Sequence, residues 1–318
     1  MRVATIDIGT NTVLLLVAEA RGDGFLSAVI ERATITRLGE GVDCTRQFSH
    51  AALARTLGCL DEYARLVREF GVERLAVVGT SAMRDAGGGQ ALVAGVRERF
   101  GVEARIVSGD EEARLAFRGA IGGLPVRAND EEEEVVVFDI GGGSTEVVRG
   151  RLEGAVPCIT YAASFDLGSV RLTERLVRQH PIAGADRDAI ERTARDAFVM
   201  IPALPQTQLP VGVAGTMTTL AAVSLGLVPY DGARVHGHTL SRKELRRVVE
   251  QLASMDLESR RRVAGMEPKR ADVVVAGGFI ALALLDRWRA DAVLISDRGV
   301  RWGLAEELVD SGGSMIGA

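Results

Sequence analysis

At 318 residues the chain is longer than one compact domain usually runs, so two domains are the default, and a hydrophobic content of 47% is enough to give each a core. The formal net charge of −5, from 43 acidic and 38 basic residues, excludes the overall basic field that draws proteins to DNA or to anionic membrane surfaces. Cys44, Cys59 and Cys158 are scattered and form no C-x-x-C pair, which argues against a disulfide frame and a cysteine zinc site, and no apolar run approaches the ~20 residues of a membrane span.

The first residues lead straight into a strand without a charged leader, and the expectation is a soluble, cytoplasmic protein. Val3-Ala-Thr-Ile-Asp-Ile-Gly-Thr-Asn-Thr12 reads as a short apolar strand, then Asp7, then a turn of small hydroxyl and amide residues, Gly9, Thr10, Asn11 and Thr12. Leu14 to Glu19 predicts a second, antiparallel strand. Asp23-Gly24 marks a turn, and Leu26 to Arg32 a third strand. The loop Thr36 to Gly41 carries Arg37, which either points into a cleft or lies on the surface. From Ser49 to Phe70 apolar residues recur at helical spacing, with Ser49 placed to cap.

Leu75 to Gly79 predicts a strand ending in Thr80-Ser-Ala-Met-Arg84, and ligand groups gather at strand carboxyl ends, so Arg84 is a candidate phosphate contact. A helix follows over 90–100 and a strand over 104–107. Ser108-Gly-Asp-Glu-Glu-Ala113 then opens a helix reaching about Ile121. Its two carboxylates, Glu111 and Glu112, are helix-dipole partners or caps, or else one of them faces a cleft while its neighbour points away. The acidic run Asp130 to Glu134 reads as a solvated loop, with a domain boundary near Leu124 to Asn129.

Val135-Val-Val-Phe-Asp-Ile-Gly-Gly-Gly-Ser-Thr-Glu146 repeats the opening design: a buried strand, Asp139 at its tip, then Gly141, Gly142, Gly143, Ser144 and Thr145. Glycines let successive N–H groups converge on an anion, so the turn is either a phosphate cradle or a plain glycine hairpin. Asp139, Glu146 and, by the echo, Asp7 supply the hard oxygen ligands that Mg²⁺ prefers. Two such units at positions 7 and 139 predict two similar halves facing each other across a cleft.

Strands follow near 146–149 and 155–161, then a helix over 184–200. Val211 to Leu220 is again strand, small-residue turn and helix start, where Gly215 and Thr216 either offer amides to a phosphate or only permit close helix packing. His236-Gly-His238 reads as a loop making local hydrogen bonds in preference to a metal pair. Helices are expected over 241–252 and 271–287, a strand over 293–296, and a last helix ending near Val309 before a Gly/Ser tail. Arg260-Arg-Arg262 reads as a surface basic cluster. Lys243 and Lys269 are the two lysines among 38 basic residues; GC-rich coding explains that bias, and arginine also suits bidentate phosphate contact.

Assembled in order, Asp7-Ile-Gly-Thr-Asn-Thr, Gly79-Thr-Ser-Ala-Met-Arg84, Ser108-Gly-Asp-Glu-Glu-Ala113, Asp139-Ile-Gly-Gly-Gly-Ser-Thr-Glu146, Gly168-Ser-Val-Arg-Leu-Thr-Glu174, Gly215-Thr-Met-Thr-Thr219, Arg270-Ala-Asp272 and Asp297-x-Gly-x-Arg301 resemble the exopolyphosphatase / guanosine pentaphosphate phosphohydrolase (Ppx/GppA) family. That family lies within the actin–sugar kinase–Hsp70 superfamily. The resemblance implies an α/β fold of two ribonuclease H-like domains, residues 1–125 joined by a C-terminal helix at about 300–311, and residues 126–299, in the short two-domain form. It implies Mg²⁺-dependent release of terminal phosphate from polyphosphate or guanosine pentaphosphate, with a monovalent cation such as K⁺ as a further candidate and a homodimer as the candidate assembly. Glu112 matches the general base, Arg84 the phosphate-binding arginine, and Asp139, Gly141 and Glu146 the metal- and phosphate-adjacent positions. Leu14 and Gly88 depart from residues usual in the family. Two rivals from the same superfamily are an ATP-dependent small-molecule kinase, which needs an acceptor, and a non-catalytic nucleotide-binding scaffold, which has no use for Glu112.

Overall fold

The computed structural model describes residues 1–20, 26–87, 89–122, 124, 134–153, 156–204 and 209–310. The predicted turn at Asp23-Gly24, the departure at Gly88, most of the acidic run and boundary segment, and the Gly/Ser tail lie outside them. The chain divides into two units, Met1–Gly119 with Val300–Ala318, and Ala120–Gly299.

In the first unit, runs of valine, isoleucine and leucine give strands β1 (Arg2–Ile8), β2 (Thr12–Ala20), β3 (Leu26–Ile35), β4 (Arg74–Gly79) and β5 (Ala104–Ile106). They form one sheet in the order β3-β2-β1-β4-β5, antiparallel from β3 to β1 and parallel from β1 to β5. Side chains alternate across β1: Ala4, Ile6 and Ile8 pack with Leu60, Tyr63 and Val67 of the helix His50–Glu69, while Val3 packs with Trp302 of the helix Val300–Asp310. Ser49 caps the first of these helices, its Oγ accepting from the Ala52 N–H at 3.1 Å. The helices Gly109–Ile121 and Val300–Asp310 meet backbone to backbone at Gly303, where a Cβ would lie 2.0 Å from the Leu115 carbonyl oxygen.

The second unit carries β6 (Val135–Ile140), β7 (Thr145–Glu153), β8 (Val156–Phe165), β9 (Val211–Val213), β10 (Thr239–Ser241) and β11 (Ala292–Ile295), in the order β10-β11-β9-β6-β7-β8. Strands β8-β7-β6 are antiparallel and β6, β9 and β11 parallel, which repeats the plan of β3-β2-β1-β4-β5 with β10 added at the edge. This is the two-domain ribonuclease H-like architecture. Its core is centred on the helix Val274–Trp288, which is buried nearly all round, as an evenly apolar helix must be. The helix expected over 184–200 stops at Ala197.

One surface expectation is corrected here. Arg260 is fully buried, and its guanidinium donates to the carbonyls of Leu252 (2.8 Å), Ala271 (2.8 Å) and Met255 (3.2 Å). Burial lowers its pKa to about 10. It therefore ties the helix end at 252–255 to Ala271 from inside and is no part of a basic surface; Arg261 and Arg262 are exposed and both pair with Glu258. Among the described residues no helix is long and apolar enough to cross a membrane.

Candidate active site

The two echoing turns are built alike. The Gly9 N–H donates to the Thr12 carbonyl at 3.0 Å and the Gly141 N–H to the Ser144 carbonyl at 3.0 Å, so each first glycine closes its hairpin and does not face a ligand. A Cβ on either glycine would press on the carbonyl it bonds, at 2.9 Å for Gly9 and 3.2 Å for Gly141. Register fixes what stands opposite each aspartate: Asp139 pairs with Glu146, whereas Asp7 pairs with Leu14. The carboxylate beside the second turn thus has an apolar counterpart beside the first.

Carbonyls of both turns are tied back. In the second unit the Gly141 oxygen accepts from the Ser169 N–H (2.9 Å) and Oγ (3.1 Å), and the Gly142 oxygen from the N–H groups of Val170 and Arg171. The Gly143 oxygen accepts from Arg171 Nε at 2.7 Å. These donors come from the start of the helix Ser169–Leu176. In the first unit the Asn11 oxygen accepts from the N–H groups of Thr36 and Arg37, and the Thr10 oxygen from that of Gly39. Peptide planes held by their oxygens turn their N–H groups the other way, and the amides of Thr10, Asn11, Gly142, Gly143 and Ser144 make no hydrogen bond among the described residues. Such a run of convergent amides is an anion-binding concavity.

Gly168 keeps the second turn in shape, because a Cβ there would come within 2.4 Å of the Gly142 oxygen and 2.6 Å of the Gly143 carbonyl carbon. Gly168→Ala is therefore expected to displace the turn, lowering thermal stability by about 1–3 kcal/mol and phosphate release far more than that loss of folded protein accounts for. Circular dichroism melts beside phosphate release check this, and wild-type activity in the variant would show that the turn does not hold substrate.

Three more groups of the first unit collect at the carboxyl ends of the adjacent parallel strands β1, β4 and β5, the usual ligand-binding edge. Asp7 ends β1, Arg84 lies on the short helix Ser81–Asp85 after β4, and Glu112 is in the first turn of the helix after β5. Arg84 Nη1 donates to Glu112 Oε2 at 2.6 Å and to the Val107 carbonyl at 2.9 Å. Glu112 is 7% exposed; burial pushes its pKa up, Arg84 pulls it down, and Asp85 adds a smaller upward push. Asp7 is 8% exposed, and its pKa is pushed up to about 7, first by burial and then by the Glu112 charge, with Arg301 opposing. Its Oδ1 is buried with no hydrogen-bond partner among the described residues. Arg37, at φ 53° in the left-handed region, sits in the loop tied to Thr10 and Asn11.

In the second unit Asp139 and Glu146 are buried neighbours on β6 and β7, with Glu146 Oε1 accepting from Ser164 Oγ at 2.8 Å. The hydroxyls of both threonines bond to carbonyls: Thr145 Oγ1 donates to the Leu167 carbonyl (2.5 Å) and Thr216 Oγ1 to the Ile140 carbonyl (3.0 Å). Gly215 serves close packing of a different partner than a helix. A Cβ there would fall 2.0 Å from Nη1 of Arg270, whose guanidinium covers the start of the helix Ala214–Leu225. A cation set against the positive end of a helix dipole favours an anion nearby. His236 makes local hydrogen bonds, its Nδ1 accepting from the Asp297 N–H at 3.3 Å and lying 3.4 Å from Ser296 Oγ.

Among the described residues no three His, Cys, Asp or Glu side chains cluster as an all-protein metal cage. Mg²⁺ uses one or two carboxylates and completes its shell with water and substrate phosphate, so this donor set is not excluded by that absence. Arg171, Gly168 and Arg270 shape the site and had no role assigned from the sequence; their signal was present only as motif positions.

The whole arrangement has relatives. Exopolyphosphatase 2 of Mycobacterium tuberculosis is 36% identical over 96% of this chain and 98% of its own length. Guanosine-5′-triphosphate,3′-diphosphate pyrophosphatase of Photobacterium profundum is 25% identical over 96% of this chain and 59% of its own. The crystal structure of the Aquifex aeolicus Ppx/GppA family member superposes with a TM-score of 0.79 at 32% identity, covering 99% of both chains. The family model described as Ppx/GppA phosphatase matches residues 16–311, and with these turns, this Arg84–Glu112 pair and those likenesses together, the chain belongs to the Ppx/GppA phosphatase family.

Proposed function

We propose that this chain is a phosphoanhydride hydrolase that releases terminal orthophosphate from inorganic polyphosphate, or converts guanosine pentaphosphate to the tetraphosphate. The observation that carries this reading is a buried glutamate with a raised pKa, fixed by an arginine at the edge of a sheet whose next turn is an amide cradle. Phosphoryl transfer needs little covalent help from a protein; positioning and charge neutralisation do most of the work. In the first unit the amides of Thr10 and Asn11, and in the second those of Gly142 to Ser144, are each arranged to take a phosphate group. Glu112 orients the attacking water and takes its proton, and its raised pKa suits it to that exchange near neutral pH. Arg84 moves between the Glu112 carboxylate and the phosphoryl oxygens, with Arg37, in the loop tied to Thr10 and Asn11, as a second cation.

The carboxylates that would hold Mg²⁺ are Asp7 in the first unit and Asp139 and Glu146 in the second. Asp7 fits such an ion because its buried Oδ1 has no donor among the described residues and a cation relieves its crowding by Glu112. When bound, the ion neutralises charge on the phosphoryl oxygens.

Phosphate release measured on long polyphosphate, short polyphosphate and guanosine pentaphosphate, with Mg²⁺ or with chelator and without any added acceptor, tests the reading. Mg²⁺-dependent release is expected from at least one of the three. Turnover of ATP only when an alcohol or carboxylate is added would mark a kinase instead. Linkage gives a second check in metal-free protein. A folded carboxyl with pKa near 7 binds a proton that the unfolded chain, at 3.8, has lost, so the Asp7 contribution to stability declines as pH rises from about 4 to 7 and is level above. Mg²⁺ is expected to raise Tm above pH 7, and Asp7→Asn to remove most of that rise; an equal Mg²⁺ shift in the variant would place the ion elsewhere.

A further inference from the structure

Val3, Thr5 and Asp7 share the face of β1 that the helix Val300–Asp310 covers. Register lays two rows across that face: Thr5, Leu16 and Glu31 side by side on β1, β2 and β3, then Asp7, Leu14 and Ala33, two residues or ~6.8 Å further on. Arg301 comes in over the first row. Its carbonyl accepts from Thr5 Oγ1 at 2.8 Å, and its guanidinium reaches Glu31 on β3, with Nε 3.0 Å and Nη2 2.6 Å from Oε2. Trp302 Nε1 donates to the same oxygen at 3.4 Å. The Arg301 side chain is 12% exposed, so this is a packed pair and not a loose surface contact. The second row offers the guanidinium one other carboxylate, Asp7, since Leu14 and Ala33 are apolar. Its charge already reaches that group and opposes the rise of the Asp7 pKa.

A guanidinium turned onto Asp7 would close a charge-assisted pair on the oxygens that a divalent ion needs. In the second unit Asp139 has Glu146 opposite it, so one carboxylate remains if the other is taken; Asp7 has no such reserve in its row. We propose that Glu31 is a positioning residue that holds Arg301 off Asp7 and so keeps the Asp7 carboxylate open to Mg²⁺. The proposal rests on the reading of Asp7 as an Mg²⁺ ligand and extends it to a strand that carries no motif. Thr5 and Trp302 make the resting place specific. The first fixes the Arg301 backbone and the second shares the accepting oxygen, so the side chain lies along the row of Glu31 and not that of Asp7. From there the cation tempers the charge of Asp7 without covering its Oδ1, which has no hydrogen-bond partner among the described residues. An ion pair that served only to dock the helix on β3 would have no bearing on metal affinity.

Mg²⁺ titrations followed by Tm, with no substrate present, read this directly. Glu31→Ala is expected to raise the Mg²⁺ concentration at half effect about tenfold or more, because a unit charge a few ångströms away then acts on the ion's ligand. Glu31→Gln keeps an acceptor for Trp302 and Arg301 and should show part of the change; it also serves if the alanine variant does not fold. Arg301→Met should bind Mg²⁺ at least as tightly as wild type. The deciding protein carries a Glu31 substitution together with Arg301→Met. There the loss of affinity is expected to disappear, whereas a pair that only holds the helix predicts that the second substitution adds damage. High Mg²⁺ should likewise return most of the kcat of Glu31→Gln. An unchanged Mg²⁺ titration in the Glu31 variants, or a double variant no better than its Glu31 parent, overturns the proposal. Asp7→Asn separates the two claims. An unaltered Mg²⁺ shift there takes the ion away from Asp7 and this proposal with it; a lost shift there, beside wild-type titrations in the Glu31 variants, fails the proposal alone.

Discussion

Glu112→Gln is expected to lower kcat by about 10²–10⁴-fold, the usual contribution of a general base, with KM changed little. The reason lies in what the substitution keeps. Glutamine has the shape of glutamate, and its amide oxygen still accepts from Arg84 Nη1, so the arginine stays near the position it holds at 2.6 Å from Oε2. What is lost is the capacity to take the proton of the attacking water. A second consequence distinguishes this from general damage. The Glu112 charge is the second cause lifting Asp7 to a pKa of about 7, so neutralising it should bring the Asp7 pKa down. The residual activity of the variant should therefore lose the acid limb set by Glu112 and show any remaining limb at lower pH. Single-turnover kinetics over pH 5 to 9 check both, and near-wild-type turnover would remove Glu112 from the role.

Arg84→Ala is expected to be comparably severe, for two reasons that pH separates. Its guanidinium pulls the buried Glu112 carboxyl down against desolvation. Without it the Glu112 pKa rises further, less of the base is ionised at pH 7, and the acid limb of the rate profile moves to higher pH. Breaking a buried pair by removing one partner costs about 3–5 kcal/mol of stability, some of which Glu112 escapes by taking up a proton. The second loss is the cation itself, and removing one donor aimed at developing charge costs about 10²–10³ in kcat. Raising the pH should therefore recover only the first part. Arg84→Lys keeps the charge but not the fork that reaches both Glu112 and the Val107 carbonyl, so it should fall between the two. A profile whose acid limb stays fixed in Arg84→Ala would show that Arg84 does not set the state of Glu112.

Local chemistry was legible in the sequence. The early strands, the capped helix His50–Glu69 and the two Asp-Ile-Gly turns follow from side-chain period and glycine placement, which act over a few residues. What needed the structure is what joins distant segments. Arg171 reaches the Gly143 carbonyl across 28 positions, and nothing about an arginine in Ser-Val-Arg-Leu says that it holds a glycine turn. In the sequence Arg260 looks like its exposed neighbours, yet it is held by carbonyls of two stretches, Leu252 and Met255 in one and Ala271 in the other. The sequence offers the amides of Thr145 and Thr216 to an anion but does not say that their hydroxyls turn to the Leu167 and Ile140 carbonyls. Strand β10 has three residues, too few for a periodic signal.

Hydrolysis of polyphosphate and of guanosine pentaphosphate in ¹⁸O-water, with Mg²⁺ and no acceptor, tests the central claim most directly. If Glu112 activates water against the terminal phosphoryl group, the released orthophosphate carries one solvent oxygen and the shortened product carries none. Label in the shortened product, or no phosphate released from either substrate, would contradict the account.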